Sequence, residues 1–349
     1  IRPSRYNRIG HQRDQTGGCR RDSSDHRTQA AIELNIMDYR TLELPDGIDS
    51  VTTASFLVFT EGPAVAADGT LYYSDIPNNR ILALSTDGIT STWRNTSNRT
   101  NGQTFDQEGR LLHCEGAEFG HEMGARRITR TNMETGENEV LTDSYDGLKY
   151  NSPNDICVDG NGRIYFTDPC YDDRSIMEMD CDAVYRIDPN GQVSRVLTQP
   201  DIQRPNGIAV TQDSKHLYLV DSCPVIGGNR KIWHFDLDGD GNPSNQSVVW
   251  DFQGGRGGDG MRLDTEGNLY IAAGINTPRG PHEDSTVPPG IYIITPEGEM
   301  KGRIPIPEDT LTNLAFGGAD GKTIYVTAGK TIYKTRVTVP GQVSYPQWP

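Results

Sequence analysis

Six polar residues recur at nearly regular intervals along this chain. Glu61, Asn101, Asn154, Asn206, Asp259 and Asn313 are separated by 40, 53, 52, 53 and 54 residues. Carboxylates and carboxamides are hard oxygen donors. Four of the six, Glu61, Asn154, Asn206 and Asp259, offer two carboxylates and two amide oxygens, with no thiol or imidazole among them. Brought together by folding, such a set suits a hard divalent cation, calcium before magnesium, with water completing the shell. The competing reading is local, because Asn-Gly and Asp-Gly pairs are ordinary turn formers and four of the six residues precede glycine. The shared register, with Glu61 standing where no turn former is needed, favours the ring.

The elements that must position these residues form a repeat. Each polar residue opens a short strand-like segment: EGPAVAA, NGQTFDQ, PNDICVD, PNGIAVT, DGMRLD and TNLAFGG. A turn and two further strand-like runs follow, as in DGTLYYSD with RILALSTDG or NGRIYFTD with AVYRIDPNG. A unit of this length with three or four strands and no helix has the size of a propeller blade. Six units predict an all-β, six-bladed β-propeller with four-stranded antiparallel blades. The innermost strand of each blade lines the channel, so the six openers become neighbours at one mouth. The sixth unit runs out of strands near Val337, and an early strand over residues 54–60, ASFLVFT, is expected to close the ring and remove the exposed edge.

A second register of acids, Asp75, Glu115, Asp168 and Asp221, ends the second strand of four units. These either cap a turn or contact substrate, and Asp168 in FTDP is the preferred substrate-side candidate. His121 and Arg126, with Arg127, fall in the loop after LLHCE, either at the channel mouth or in solvent. No GxSxG and no local Cys–His pairing supports a serine or cysteine nucleophile, which leaves metal-assisted water attack as the simpler chemistry.

Composition bounds the rest. A net charge of -15 argues against a nucleic-acid partner, and no apolar run approaches the length of a spanning helix, so a soluble chain without a membrane partner is expected. Six cysteines without CxxC spacing indicate neither a zinc site nor a disulfide scaffold, although Cys170 and Cys181 could bridge a loop. Residues 1–30 carry seven arginines against three aspartates and few large apolar residues. Residues 1–47 are therefore read as a flexible or loosely docked leader, 48–340 as the propeller and 341–349 as a C-terminal tail. The compartment, cytoplasmic or periplasmic and secreted, stays open, as does the choice between monomer and small homo-oligomer.

EGPAV at 61, TNGQTFDQEGRLLHCE at 100, RRITRT at 126, NSPNDICVDGNGRIYFTDP at 151, RPNGIAV at 204, GDGMRLDTEGNLY at 258 and NLAFGGADGKTIYVTA at 313 resemble, in order, the SMP-30/gluconolactonase family of calcium-dependent lactonases. The resemblance implies a six-bladed propeller with one catalytic metal, calcium or else magnesium, manganese or zinc, held by Glu61, Asn154, Asn206 and Asp259. It also implies that Asn101 lies near the substrate. Two segments depart from the family pattern, CYDDRSIMEMDCDAVYRI after FTDP and CPVIGGNR after LYLVDS, and both are expected over the channel mouth. The function expected is hydrolysis of a small lactone such as gluconolactone, with Asp259 as general base. An arylesterase or phosphotriesterase using the same metal, or a non-catalytic binding propeller with structural calcium, are the alternatives.

Overall fold

The computed structural model describes residues 58–346, and in that span every regular element is a strand apart from two single 3-10 turns, His121–Met123 and Arg174–Ile176. Twenty-three strands form six antiparallel sheets, each built from consecutive strands. The innermost strands are β1 (Thr60–Val65), β5 (Thr100–Phe105), β9 (Ile156–Val158), β13 (Pro205–Val210), β17 (Gly258–Leu263) and β21 (Leu311–Gly317). Five sheets have four strands and the sixth has three. This is the six-bladed β-propeller expected from the repeat. Most of the closing strand expected at 54–60 and the leader at 1–47 lie outside the described residues. Within them, the first and last blades are joined directly: Thr60 N donates to Gly329 O at 2.8 Å, and Thr312 Oγ1 donates to Thr60 O at 2.8 Å.

Burial falls from the channel outward. β1 and β13 are buried at every position, and the second strands β6 (Leu111–Glu115), β10 (Ile164–Asp168) and β18 (Leu269–Ala273) are too, because both their faces pack against neighbouring blades. Outer strands such as β4 (Thr90–Asn95) and β8 (Asn138–Thr142) are largely exposed. The apolar core is thus divided among the wedges between blades, as where Phe166 stacks on Tyr185 and Tyr150 meets both edge-on, with centroids 5.1–5.4 Å apart.

Two kinds of X-Gly pair separate cleanly. Gly69, Gly109, Gly162 and Gly267, in the runs DGT, EGR, NGR and EGN, turn the chain from the first strand to the second. Asp106, Asp159 and Asp264 brace three of these turns by accepting two backbone N–H bonds each. The pairs that contain the polar openers are not turns. They lie in bulges of the inner strands, where the register with the second strand shifts at Glu61/Ala64, Thr100/Gln103, Pro205/Ile208 and Gly258/Met261. A bulge re-aims a side chain at the cost of one ladder position. Their glycines serve close packing: a Cβ on Gly62 would come 2.1 Å from Asn101 O, and one on Gly207 would come 2.4 Å from Asp259 O.

Over its described part the C-terminal segment read as a tail is bound to the propeller. Gly341 pairs with Asp264, Gln342 Nε2 donates to Val210 O at 3.0 Å, Ser344 Oγ donates to Val158 O at 3.2 Å, and the Tyr345 ring lies 5.9 Å from that of Phe105. These residues cross the end of the channel that carries the first-to-second-strand turns. Cys170 and Cys181 are free thiols, not a bridge: Cys170 Sγ donates to Asp173 O, and Cys181 Sγ lies 2.7 Å from Thr198 Oγ1.

Candidate active site

Antiparallel blades put the start of the first strand and the end of the second at the same end of the channel. The openers and the second-to-third-strand loops therefore share one mouth. A cavity of about 590 Å³ occupies it, and Glu61, Asn101, Asn154, Asn206 and Asp259 all line it. All four expected metal ligands and the expected substrate neighbour Asn101 meet there. Asn313, the sixth opener, does not line the cavity and uses its Oδ1 to accept from Leu314 N at 2.9 Å.

Neighbouring groups fix the orientation of these side chains. Glu61 Oε2 accepts from Gly62 N at 2.7 Å. Asn206 Nδ2 donates to the Tyr171 hydroxyl at 3.0 Å, which leaves its Oδ1 as the donor atom for a cation. Asn101 Nδ2 donates to Glu118 Oε2 at 3.0 Å. Asp259 Oδ2 is engaged by the Arg256 guanidinium, which also donates to Leu311 O. Burial, and then the nearby Asp259 carboxylate, push the Glu61 carboxyl well above its usual range. Asp259 is raised by burial and pulled back by Arg256. Glu118 is pushed up to about 8 by burial and by Asp172 and Asp259. Buried carboxylates that oppose each other's ionisation, together with two amide oxygens, form a donor set that fits a hard divalent cation.

The other candidates lie elsewhere. Asp168 is fully buried at the end of β10, away from the cavity lining, and accepts from Asn151 N and Ser152 N, both at 2.8 Å. It ties down the segment that presents Asn154. Asp75 and Asp221 do the same work in their blades: Asp221, for example, accepts from Gln203 N at 3.0 Å and Arg204 N at 2.7 Å. Glu115 instead accepts from the side chains of Asn98, Arg127 and Thr129. The capping reading prevails for the three aspartates because each faces the backbone of its own blade's entry loop. Burial pushes Asp168 up to about 7 against the pull of those two N–H groups. Arg126 is turned to Tyr150 O and Glu178 rather than to the cavity. His121 opens a 3-10 turn, and only its main chain falls within the described part of the molecule.

Several lining residues escaped the repeat. Glu118 and Phe119 follow Glu115 in the second blade's loop, and Arg256 stands three residues before Asp259. Tyr171 and Asp172 come from the first extended segment and Pro224 from the second, so both segments reach the mouth as expected. The usable signal was position: each follows the end of a second strand or precedes an opener.

The fold and cavity define a propeller with a blind, oxygen-lined pocket at the channel mouth. A profile of the SMP-30/gluconolactonase/LRE-like region matches residues 59–330, and the chain belongs to that family. It is 30% identical over 308 residues to a gluconolactonase of Zymomonas mobilis, covering 82% of this chain and 81% of the relative. A 6-deoxy-6-sulfogluconolactonase of Pseudomonas putida is 27% identical over 158 residues, 40% of this chain and 48% of that one. The solved structure of a gluconolactonase from Xanthomonas campestris superposes with a TM-score of 0.66 at 28% identity, covering 82% of this chain and 86% of that one.

Proposed function

We propose that this chain is a metal-dependent lactonase that opens a small sugar lactone, with gluconolactone the first candidate. The observation that carries the reading is the convergence of Glu61, Asn154, Asn206 and Asp259 on the lining of one cavity. Family membership and the gluconolactonase relatives support the reaction class. At about 590 Å³ the cavity has room for a monosaccharide-sized ring.

Glu61, Asn154, Asn206 and Asp259 would hold one divalent cation, calcium first. Such an ion, when bound, supplies Lewis-acid polarisation of an ester carbonyl. The remaining work falls to the chain. Asp259, whose Oδ2 is engaged by Arg256, is the residue that takes the proton of the attacking water. Arg256 also pulls the Asp259 carboxyl back toward its charged form against the upward push of burial. Asn101 and Glu118, already hydrogen bonded to each other, can exchange that bond for substrate hydroxyls. Phe119 and Tyr171 line the same cavity and limit the water that reaches the reacting ester.

The test is Asp259→Asn, assayed on glucono-1,5-lactone by acid release, with calcium binding followed by calorimetry. A loss of at least about 10²-fold in kcat is expected, with the fold intact by circular dichroism. Full activity in the folded variant would remove Asp259 as base. A folded wild-type protein that binds calcium yet hydrolyses no lactone, while hydrolysing aryl esters or phosphotriesters, would move the substrate class instead.

A further inference from the structure

Blade four carries a second set of convergent ligand atoms, on its outer face and at the closed end of the channel. β14 (His216–Ser222), β15 (Arg230–Leu237) and β16 (Pro243–Asp251) are adjacent antiparallel strands. The register sets His216 opposite Asp236 and Tyr218 opposite His234. Residues two apart on a strand share a face, so both histidines and Asp236 project from the same side. His216 Nδ1 lies 2.9 Å from His234 Nε2 and 3.4 Å from Asp236 Oδ1, and His234 Nε2 lies 3.6 Å from Asp236 Oδ1.

We propose that His216, His234 and Asp236 form a binding site for a borderline divalent transition metal, zinc in the first instance, separate from the cavity at the channel mouth. The three separations bracket the edge of about 3.3 Å that a tetrahedral ion with bonds near 2.0 Å sets between its ligands. Two imidazoles and one carboxylate select zinc, copper or nickel over calcium and magnesium.

The outer atoms of two ligands are already held. Ser247 Oγ lies 3.3 Å from His234 Nδ1, and Asn245 Nδ2 donates to Asp236 Oδ2 at 2.9 Å. Nε2 of His234 and Oδ1 of Asp236 are thereby turned toward His216. Supporting bonds of this kind orient the ligands of metal sites and are worth about 10–100-fold in affinity. Access is open: the side chains retain 41%, 20% and 43% of their exposure, and a cavity of about 530 Å³ between blades four and five adjoins both histidines. Glu297 of the neighbouring blade lines that cavity and adds negative charge. A metal here would clip β14 to β15, with β16 supplying the supporting Ser247 and Asn245, and would leave one coordination position for water.

The test uses full-length, tag-free protein, stripped with EDTA, dialysed and then saturated with calcium so that the channel site is filled. Zinc is titrated by calorimetry, and cobalt(II) by its visible absorption, into wild type, Ser247→Ala and the double variant His216→Ala/His234→Ala. The wild type should bind one more equivalent of zinc than the double variant and show a tetrahedral cobalt spectrum that the double variant lacks. Ser247→Ala should bind the same equivalent about 10-fold more weakly. Lactone hydrolysis in calcium should be unchanged in all three, which also reports that the variants fold. Equal zinc stoichiometry in wild type and double variant, or a wild-type site emptied by calcium at equal concentration, would overturn the proposal.

Discussion

The two ends of the channel are built from the same strands and end up unlike. At one end four inner strands begin with bulges that turn Glu61, Asn101, Asn206 and Asp259 into a cavity of about 590 Å³, which Asn154 joins from the segment just before β9. At the other, regular strands enter tight Asp-braced turns, and Gln342–Tyr345 close over what remains, a space of about 80 Å³ beside Arg262. Between them Arg262, partly exposed, pairs with the buried Asp155 at 3.1 Å. The difference is one of backbone regularity. Bulges spend ladder bonds to aim polar groups, and the irregular end is where chemistry can occur; the regular end is sealed by a strap and serves stability.

The contrast sharpens most at Gly207, where the bulged end is also a packing joint. Gly207→Ala places a Cβ 2.4 Å from Asp259 O and 2.8 Å from Met261 N, both main-chain atoms of β17, so neither can yield cheaply. A stability loss of about 1–3 kcal/mol is expected by thermal denaturation, with a drop of more than about 10-fold in kcat as Asp259 shifts. Removing residues 341–349 should do the reverse. The loss of two side-chain hydrogen bonds and of Tyr345 packing predicts about 2–4 kcal/mol of destabilisation, with kcat/KM on gluconolactone kept within about threefold at a temperature where the protein is folded. A truncation that left stability untouched and abolished activity would break the contrast.

Two smaller effects separate the ends further. Glu118→Gln keeps the geometry of the bond to Asn101 but removes a charge-capable acceptor, and KM should rise about 10-fold. The smallest effect is in the pH dependence of the metal-stripped protein. Glu61 and Glu118 have folded-state values raised above those of the unfolded chain, Glu118 to about 8, so the folded state binds more protons than the unfolded one between roughly pH 4.5 and 8. Their contribution is fully present below the unfolded values and is lost as pH rises through the folded ones. The melting temperature of stripped protein should therefore fall between pH 6 and 8.5, at about 2–4 °C per kcal/mol, and calcium should flatten that slope by compensating the carboxylates. An identical slope with and without calcium would contradict it.

The ring was legible because periodicity survives in sequence: one opener per blade, 40 and then 52–54 residues apart, is a pattern that tertiary packing preserves. What the residues alone left ambiguous was the X-Gly pair. Asn206-Gly207 and Asn161-Gly162 look alike, yet the first is a bulge whose glycine admits Asp259 O and the second a turn with φ at 79°. The second register misled at Asp168 because an acid at a strand end satisfies its own blade's backbone before it reaches a channel. Glu118, Tyr171 and Arg256 lay in loops of unequal length, where no period applies. The strap was invisible for a different reason: Gln342 and Ser344 bind main-chain carbonyls of Val210 and Val158, and such acceptors leave no sequence signature.

The central claim, that oxygen ligands from four blades make a metal site that drives lactone opening, is tested most directly by hydrolysis of glucono-1,5-lactone after EDTA stripping. Calcium, magnesium, manganese and zinc are then added back singly and acid release is followed. Turnover lost on stripping and restored by a divalent ion, calcium foremost, in wild type but not in Glu61→Gln or Asp259→Asn is the predicted result. Undiminished turnover in fully stripped protein, or restoration in both variants, would contradict it.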